Sequence, residues 1–334
     1  MKRHTKLLLT PVLIILLVVG SGWGFLVHRT IHQLSIYELP EPVRPFFYKH
    51  MANLVQNAIR PDQRRNEDST EATKHFIDFE MYGDDAAHKM PMNWQKAIQL
   101  YSRDSLLKYG YVPYHIIYMQ EKLTRAFKMK NKDSILFYAA DLGHYIGDAH
   151  VPLHTTINYD GQLTNQKGLH SLWESMIPEI KIGHYHLYSV HKATYLKNPA
   201  AAIWKVVRTS FKMVPEILAK EKEVSKTFTD EQKYRVQIRR GVETRSYTSE
   251  FAKAYAASLK KSINNRLLQS ADMIADFWYT AWVNAGKPNL ANIGGELTDT
   301  EKKQLEKELA AFKKNELMQQ QLLISKKQTG NKNN

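Results

Sequence analysis

Cysteine is absent from this chain of 334 residues. Its absence excludes a disulfide scaffold, an iron–sulfur cluster, a cysteine nucleophile and a lipid-anchored N-terminal cysteine. Any metal must therefore be held by histidine, carboxylate or backbone groups. Glycine (15) and proline (12) are too sparse for a collagen-like or low-complexity protein. With 43% apolar and 24% charged residues, the chain can bury a large core.

Acidic residues are outnumbered by basic ones, 33 to 47, which gives a formal net charge of +14. Most of this excess lies in residues 23–298 rather than at the two ends. A basic domain favours a polyanion or an anionic surface as its partner, without choosing between them. The 14 histidines supply many candidate metal ligands.

A long apolar run occurs only near the N-terminus. Basic residues in the first six positions precede a 13-residue, mainly apolar run, Leu7 to Val19, which suits a signal-peptide core better than a membrane span. Gly20 and Gly22 supply small residues before a cleavage point, so we predict that the signal peptide 1–22 is removed and that the mature chain begins at Trp23. The alternative is a retained membrane anchor. Export to the periplasm or to the outside is expected.

Alternating, strand-like patterns are almost absent, and apolar residues recur three or four positions apart. This spacing predicts one helix that begins at Trp94 after the cap Asn93, a second over 113–127, and a third that follows Ser134 and continues to about residue 149. An apolar stripe from Phe251 to Trp282 predicts one long core helix. The expected fold class is all-α, with a single multi-helix domain over residues 23–290.

The C-terminal part differs in composition. From Thr298 the chain is typical of a capped, charge-laced helix, and Ser325 to Asn334 is typical of a polar tail. We therefore expect residues 291–334 to form a charged helical extension with a disordered tail, an appendage rather than part of a site.

Residues that suggest chemistry are concentrated after position 140. His144 and Asp148 are four residues apart, so a helix places them on one face, where both reach a single cation. Pro152 ends that helix, and His154 follows the break, where it can turn towards a neighbouring ion. His170 and a glutamate four residues later form a second pair with the same spacing.

Any one of these histidines alone is explained more simply as a satisfied core or surface residue. Two such pairs between His144 and Glu174, in an apolar setting, would be costly to bury unless a metal neutralised them. Because no thiol is available, the donor set suits Zn²⁺, while Mn²⁺ and Fe²⁺ stay open on ligand type alone.

The order and spacing of these residues resemble the zinc-dependent phospholipase C and single-strand-specific nuclease superfamily. Upstream motifs match as well: Trp-Gly-x-x-x-His over Trp23 to His28, Asp-x-x-Arg at Asp62 to Arg65, and His-Phe-Ile-Asp at His75 to Asp78. The resemblance implies a helical fold around a three-zinc cluster. It also supports cleavage before Trp23, because only a processed chain offers the α-amine that binds zinc in this family.

Carried over residue by residue, the resemblance implies a set of ligands for each zinc ion. One ion would be held by Asp62, His75, His144 and Asp148. A second would be held by His154, His170 and Glu174. The third would be held by Trp23, His28 and the other oxygen of Asp148, which would bridge two ions.

The same resemblance implies a mechanism, hydrolysis of a phosphate ester by a hydroxide that bridges zinc ions. Asp62 would orient or deprotonate the water, and Arg65 would steady the phosphate. Arg64 beside it makes the choice of arginine ambiguous, and a solvated charged loop is an alternative explanation of Arg65. Phe76 matches a position where nucleases stack a base, although packing would explain it equally well.

We expect a secreted zinc-dependent phosphodiesterase of the phospholipase C type, since Glu174 and the lack of cysteine fit that branch. A single-strand-specific endonuclease or 3'-nucleotidase is the first alternative, which Arg65 and Phe76 fit better. The second alternative is a non-catalytic, metal-stabilised helical module that binds anionic surfaces. The expected substrate is a phospholipid or single-stranded nucleic acid, with contact to a membrane surface and no protein partner implied.

No role is assigned to residues 175–248. They include His184, His186 and His191, a tract whose spacing is also found at metal sites, although nothing else in the sequence anchors an ion there. The sequence does not indicate an oligomeric state.

Overall fold

A computed structural model describes residues 24–239 and 242–327 of the chain. The predicted all-α architecture is confirmed, because helices dominate and the only sheet within these residues is a two-stranded hairpin. No helix in the described part of the chain is long and apolar enough to cross a membrane. The predicted signal segment lies outside the described residues.

The elements follow in chain order. The first half contains α1 (Phe25–Glu38), α2 (Arg44–Lys49), α3 (Met51–Asn57), α4 (Arg60–Arg64), α5 (Ala86–Lys89), α6 (Trp94–Tyr101), α7 (Arg103–Tyr109), α8 (Val112–Lys128) and α9 (Lys132–Ala149). The second half contains α10 (Leu169–Ser171), α11 (Ile177–Lys181), α12 (Pro199–Ser225), α13 (Asp230–Lys233), β1 (Tyr234–Arg239), β2 (Val242–Tyr247), α14 (Ser249–Ser258), α15 (Ser262–Asn284), α16 (Asp299–Lys313) and α17 (Ile324–Lys327). Short 3-10 turns lie at Ala72–Lys74, Phe79–Tyr82, Pro152–Thr155, Ile182–His184 and Ala291–Ile293, and a π-helical turn at Leu172–Met176 joins α10 to α11.

Helices α1, α8, α9 and α15 pack against one another around the main core. Trp278 of α15 is fully buried there, stacks on Phe47 with ring centroids 4.8 Å apart, and donates a hydrogen bond from its indole N–H to the Ala139 carbonyl. Buried aromatic groups of this size contribute strongly to stability when their polar atom is satisfied. The core thus fixes α9, the helix that carries His144 and Asp148, relative to α15.

Two glycines let α1 approach α9 unusually closely. A Cβ on Gly143 would overlap the Nε2 atom of His32, and one on Gly147 would lie 3.0 Å from Nδ1 of His28. His32 itself is buried, with Nδ1 2.7 Å from the His28 carbonyl oxygen and Nε2 2.9 Å from the Ala140 carbonyl oxygen, each of which can accept a hydrogen bond from the ring. The close approach brings His28 of α1 to the face of α9 that carries the predicted ligands.

The predicted helix starts agree with the structure to within about three residues. Asn93 caps α6 by accepting a hydrogen bond from the Lys96 N–H. Helix α9 begins slightly before the expected position, because Asn131 is its cap and accepts a hydrogen bond from the Ser134 N–H.

The single long helix expected over 251–282 is wrong, because the structure divides it into α14 and α15. Lys260, with φ of 55°, turns the chain between them. Phe251 and Tyr255 of α14 lie in a second, smaller apolar cluster beneath α10 and α11, whereas α15 from Leu267 onwards packs in the main core. The break allows one apolar stripe to serve both clusters.

The hairpin of β1 and β2 was not predicted, although its sequence carries a signal. Tyr234, Val236 and Ile238 alternate with polar residues, and β2 pairs antiparallel with Tyr234 opposite Tyr247. The hairpin rests on the smaller apolar cluster, to which Tyr247 belongs.

The C-terminal extension is more closely attached than an appendage. Helix α16 begins with the capping box of Thr298 and Glu301, and Phe312 is buried in the main core. Further on, Gln33 of α1 donates a hydrogen bond to the Leu322 carbonyl, and Ser325 lies fully buried against α1. Residues up to 327 thereby cover buried polar groups of the helix that carries His28, and the expected tail beyond them lies outside the described residues.

Candidate metal centre

Eight of the nine predicted ligands are described, and they come from separate elements that meet at one place. They are His28 on α1, Asp62 on α4, His75 after the first 3-10 turn, His144 and Asp148 on α9, His154 in the turn after α9, His170 on α10 and Glu174 in the π-helical turn. Their donor atoms form three groups in which all members lie within 4.8 Å of one another: His28, His144 and Asp148; Asp62, His75 and His144; and His154, His170 and Glu174.

The group around Asp62 contains two imidazole nitrogens that face each other. His75 Nδ1 and His144 Nε2 are 3.1 Å apart, and Asp62 Oδ1 lies 3.8 Å and 3.7 Å from them. Two nitrogen lone pairs at this separation repel unless a proton or a cation lies between them. The donor types, imidazole nitrogen and carboxylate oxygen, are among those that zinc binds in proteins.

Asp148 serves two groups at once. Its Oδ2 atom is 2.8 Å from His75 Nδ1 and 3.3 Å from His144 Nε2, while its Oδ1 atom is 3.4 Å from His28 Nε2. The carboxylate is 1% exposed, so solvent does not compensate its charge. Its two oxygens are therefore placed to bridge two cations.

Glu174 joins the remaining group to that of His28. Its Oε2 atom is 2.6 Å from His170 Nε2 and 3.3 Å from His154 Nε2, and its Oε1 atom is 3.7 Å from His28 Nε2. The resemblance implied the first two neighbours but not the third. Glu174 thus faces two groups, much as Asp148 does.

Outer hydrogen bonds fix which imidazole nitrogens face the centre. His144 Nδ1 donates to the Ala58 carbonyl (2.8 Å), and His154 Nδ1 donates to the His75 carbonyl (2.8 Å). A proton committed to the outer nitrogen leaves Nε2 with a lone pair pointing inwards. Both histidines are therefore held in the tautomer that a metal ion requires.

Electrostatics in the buried centre favour a cation. Burial alone would raise the pKa of Asp148, but His144 and His154 hold that pKa well below its usual range. Burial would lower the pKa of His28, but Asp148 and Glu174 raise it to about 10. The carboxylates stay ionised and attract positive charge, so the donor set fits divalent zinc.

The adjacent arginines Arg64 and Arg65 have different surroundings. Arg64 donates hydrogen bonds to Glu71 and Asp141, both of which are almost fully buried, and to the Tyr145 hydroxyl. Arg65 is half-exposed, and one of its terminal nitrogens lies 3.7 Å from Asp62 Oδ1. The structure therefore resolves which arginine borders the open side of the centre.

Sequence reasoning missed the network behind His75. Glu71 Oε1 lies 3.5 Å from His75 Nε2, and Glu71 is itself bonded to Arg64, Lys74 and Tyr145. The four-residue spacing of Glu71 and His75 was the available signal, the same spacing that identified the two ligand pairs. This carboxylate orients His75 from its outer side.

Trp23 lies outside the described residues. Its neighbour Gly24 is described and lies against Glu174, since a Cβ on Gly24 would be 3.2 Å from Oε1 and 3.5 Å from Ser175 Oγ. The described chain therefore begins beside the centre.

Phe76 is partly buried next to the ligand His75. Its ring lies against the Gly110 backbone, where a Cβ would be 2.5 Å from the ring carbon Cδ2, and Gly110 has φ of 86°. Val112 also donates its N–H to the Phe76 carbonyl. The ring is thus held in a fixed place, with one part still open to solvent.

The histidine tract after residue 183 does not join a metal group within the described residues. His184 and His186 are exposed, and His191 forms an ion pair with Asp276 at 2.9 Å. Of the three, His191 thus has an ion-pair role in the structure.

Fold and site together define an α-helical protein built around a mostly buried cluster of histidines and carboxylates that could hold metal ions. The chain belongs to the S1/P1 nuclease family, which it matches over residues 23–280. This family consists of zinc-dependent hydrolases that cleave phosphate esters, so the resemblance and the enzyme class expected from the sequence are confirmed. The match continues past Glu174, where the sequence motifs end. No curated protein is significantly similar to the chain.

Proposed function

We propose that the enzyme cleaves phosphodiester bonds of single-stranded nucleic acid, with 3'-nucleotidase activity as a related reaction. The observation that carries this proposal is Arg65, a half-exposed cation beside Asp62 at the edge of the metal centre. A guanidinium is suited to bind phosphate oxygens through paired hydrogen bonds. The family match to nucleases supports this substrate over the phospholipid that the sequence favoured.

We propose three zinc ions, held as the sequence motifs imply. Asp62, His75, His144 and Asp148 would hold the first; His154, His170 and Glu174 the second; and His28, Asp148 and the Trp23 amine and carbonyl the third. Gly24 beside Glu174 supports the last assignment, because it brings the chain to the centre one residue after Trp23. Export and cleavage before Trp23 belong to the same proposal.

Bound zinc would supply Lewis-acid polarisation of the phosphate and a lowered pKa for water. The chain's own residues orient the reaction. Asp62, which is partly exposed and close to His75 and His144, is placed to accept a proton from the attacking water. Arg65 would neutralise charge that develops on the phosphate in the transition state.

Phe76 is proposed to stack a base next to the cleaved bond. Its position directly after His75 and its clamped, partly open ring support this role. A rigid aromatic ring loses little entropy when a base stacks on it, and such stacking depends little on sequence.

A phospholipid diester is the second candidate substrate. Glu174 at the last ligand position fits the phospholipase branch, and exposed apolar side chains near His170 include Tyr159, whose ring centroid is 6.2 Å from that of His170. These features support a substrate at a lipid interface, but they give no role to Arg65, on which the nucleic-acid proposal rests.

Turnover of single-stranded DNA, RNA and phosphatidylcholine micelles at equal zinc concentration tests the proposal. We expect nucleic acid to be cleaved at least tenfold faster than lipid, and chelation to abolish both activities. Phe76→Ala should lower turnover of single strands more than turnover of a chromogenic diester without a base. Faster cleavage of phosphatidylcholine would make the second candidate correct.

A further inference from the structure

A groove of about 370 Å³ lies between α12 and α5, outside the metal centre. Lys205, Arg208 and Lys212 line it from the α12 side, and Ala87 and His88 line it from the α5 side. Positions separated by three and by seven residues share one face of a helix. The three cations therefore form a single row, about 10 Å long at a rise of 1.5 Å per residue.

The middle cation of this row is held in place by its surroundings. Arg208 Nε donates a hydrogen bond to the Ala87 carbonyl at 2.6 Å, and the guanidinium carbon lies 5.4 Å from the centroid of the Trp204 ring. Its two terminal nitrogens have no hydrogen-bond partner in the described part of the chain. A guanidinium anchored through Nε keeps its terminal N–H groups for an oxyanion, which it binds in a forked geometry.

The two lysines on either side of Arg208 lack a carboxylate partner. Lys205 and Lys212 are exposed, and neither forms an ion pair within residues 24–239 and 242–327. The first acidic residue of α12 is Glu216, which lies outside the groove. Cations on successive turns of one helix face repel one another, so an anionic ligand that spans the row would relieve this repulsion.

Acidic residues on the opposite wall do not cancel this charge. Asp85 pairs with His88 Nδ1 at 2.6 Å, and both side chains are exposed. Lys89 lies beside Asp84, to whose carbonyl oxygen it donates a hydrogen bond at 3.1 Å. Even with His88 neutral, Lys89 and the three cations of the row outnumber these two carboxylates. The groove therefore has an excess of positive charge.

One short turn connects the groove with the rim of the metal centre. The Phe79 ring packs edge-on against Phe211 of the groove wall, with centroids 5.2 Å apart. The next residue, Glu80, accepts a hydrogen bond from the Ile157 N–H at 3.1 Å, in the loop that follows the second set of ligands' first histidine. Because Phe79 follows the ligand His75 by four residues, their Cα atoms lie within about 14 Å of each other, a distance that a few nucleotides span.

We infer that this groove binds backbone phosphates of a single-stranded nucleic acid to one side of the cleaved bond. The inference rests on the proposed function and extends the substrate from a nucleotide to a polynucleotide. A positively charged groove beside aromatic rings is typical of proteins that bind single strands. Its apolar lining residues, Ala87 and Phe211, are buried or partly buried, so the groove lacks the protruding apolar groups with which proteins enter a lipid layer.

The kcat/KM for a single-stranded 20-mer, divided by the kcat/KM for a dinucleotide, tests the inference, because only the longer substrate reaches the groove. Lys205→Gln with Lys212→Gln should lower this ratio about tenfold. Arg208→Gln should lower it by a similar factor, and Arg208→Lys should restore part of the loss, since it keeps the charge without the forked donors. The lysine double variant should also reduce the slope of log KM against log salt for the 20-mer by about 1.4, which is about 0.7 for each of two phosphates.

Lys303→Gln with Lys307→Gln is the matched control, because it removes the same charge from exposed positions on α16. The control should leave the ratio unchanged. An equal fall in the control would show that net charge alone acts, and this would overturn the inference. An unchanged ratio in the groove variants would also overturn it, while cleavage of the 20-mer would leave the proposed function standing. Loss of binding to anionic vesicles in the groove variants, with the ratio unchanged, would assign the groove to lipid instead.

The absence of cysteine permits a second test that does not depend on turnover. Thr209→Cys and Lys303→Cys each create a unique thiol, the first in the groove and the second on α16. A 20-mer with an activated disulfide tether on its backbone should form an adduct with Thr209→Cys in about tenfold higher yield than with Lys303→Cys, because binding raises the effective concentration of the tether in the groove. Equal yields at the two positions would overturn the inference, whether or not the strand is cleaved.

Discussion

Arg64 and Arg65 are adjacent in the chain but belong to different environments. The Arg64 guanidinium bonds the buried carboxylates of Glu71 and Asp141 behind the metal centre, whereas Arg65 lies half-exposed 3.7 Å from Asp62. At the C-terminal end of α4, Arg64 thus supports the network behind His75, and Arg65, the next residue, lies on the open side of the centre. We therefore expect substitution of Arg64 to affect mainly the stability of the protein, and substitution of Arg65 to affect mainly its activity.

Arg65→Ala should lower kcat/KM for single-stranded DNA by about a hundredfold to a thousandfold, the usual cost of removing one group that stabilises transition-state charge. The melting temperature and zinc content should be unchanged, because the side chain has no buried partner. Arg64→Ala is the contrasting variant. It should lose about 2 kcal/mol of stability, since it removes charge-assisted hydrogen bonds to Glu71 and Asp141, which keep Lys74 and Arg60 as their remaining cations. Equal loss of activity and equal melting temperatures in the two variants would contradict the division.

Asp148→Asn should release more zinc than His154→Ala. The two Asp148 oxygens face different histidines, His75 at 2.8 Å and His28 at 3.4 Å. An amide at this position should therefore weaken the binding of two zinc ions, whereas loss of His154 should weaken the binding of one. Elemental analysis of the purified variants measures the difference. Both should also melt at lower temperature, because bound metal stabilises the folded chain. Identical zinc loss would rule out bridging.

Gly143→Ala should destabilise the protein by about 1–3 kcal/mol, as overpacking of a tight core usually does. The new methyl group would overlap His32 and push α1 away from α9, so His28 should move from Asp148 and zinc affinity should fall. Gly183→Ala is the matched control, since nothing lies within 4 Å of its added carbon. Thermal unfolding and zinc titration of both variants would reveal the effect; unchanged zinc affinity in Gly143→Ala would contradict it.

Glu38→Gln should raise the melting temperature at pH 8 by roughly 2 °C, the shift that about 1 kcal/mol produces in a domain of this size. Burial, with Asp272 and Asp276 nearby, raises the pKa of Glu38 well above its ordinary value of 4.5. The native chain therefore retains a proton that the unfolded chain releases, and its stability falls as pH rises above about 4.5.

Glutamine removes this titration, so the pH dependence of melting should become flatter between pH 5 and 8. His191, which pairs with Asp276, is unaltered in this variant. Glu306→Gln, at an exposed site on α16, serves as the control. A lower melting temperature of Glu38→Gln at pH 8 would show that its negative charge stabilises the fold.

The sequence predicted the helical fold and the ligand residues, two pairs of them from their spacing and the others from family motifs. The spacing of four residues identified His144 with Asp148 and His170 with Glu174, because a helix places such residues on one face. Family motifs supplied the remaining ligands, which come from separate parts of the chain.

Other features depended on tertiary packing. The break at Lys260 left no local signal, since the apolar stripe continues through it in register. The packing of residues 311–325 on α1 joins segments almost three hundred residues apart, and the charged composition of α16 concealed it. Composition could not distinguish Arg64 from Arg65 because both lie in one charged loop, and only the buried partners of Arg64 separate them.

We expect these histidines and carboxylates to form a zinc centre that hydrolyses phosphodiesters. Titration of zinc into the chelator-treated chain, with hydrolysis of a chromogenic diester followed in parallel, tests it most directly. We expect no activity without metal, recovery in step with bound zinc up to three ions per chain, and no recovery in Asp148→Asn. Activity that survives complete removal of zinc, or full recovery in Asp148→Asn, would contradict it.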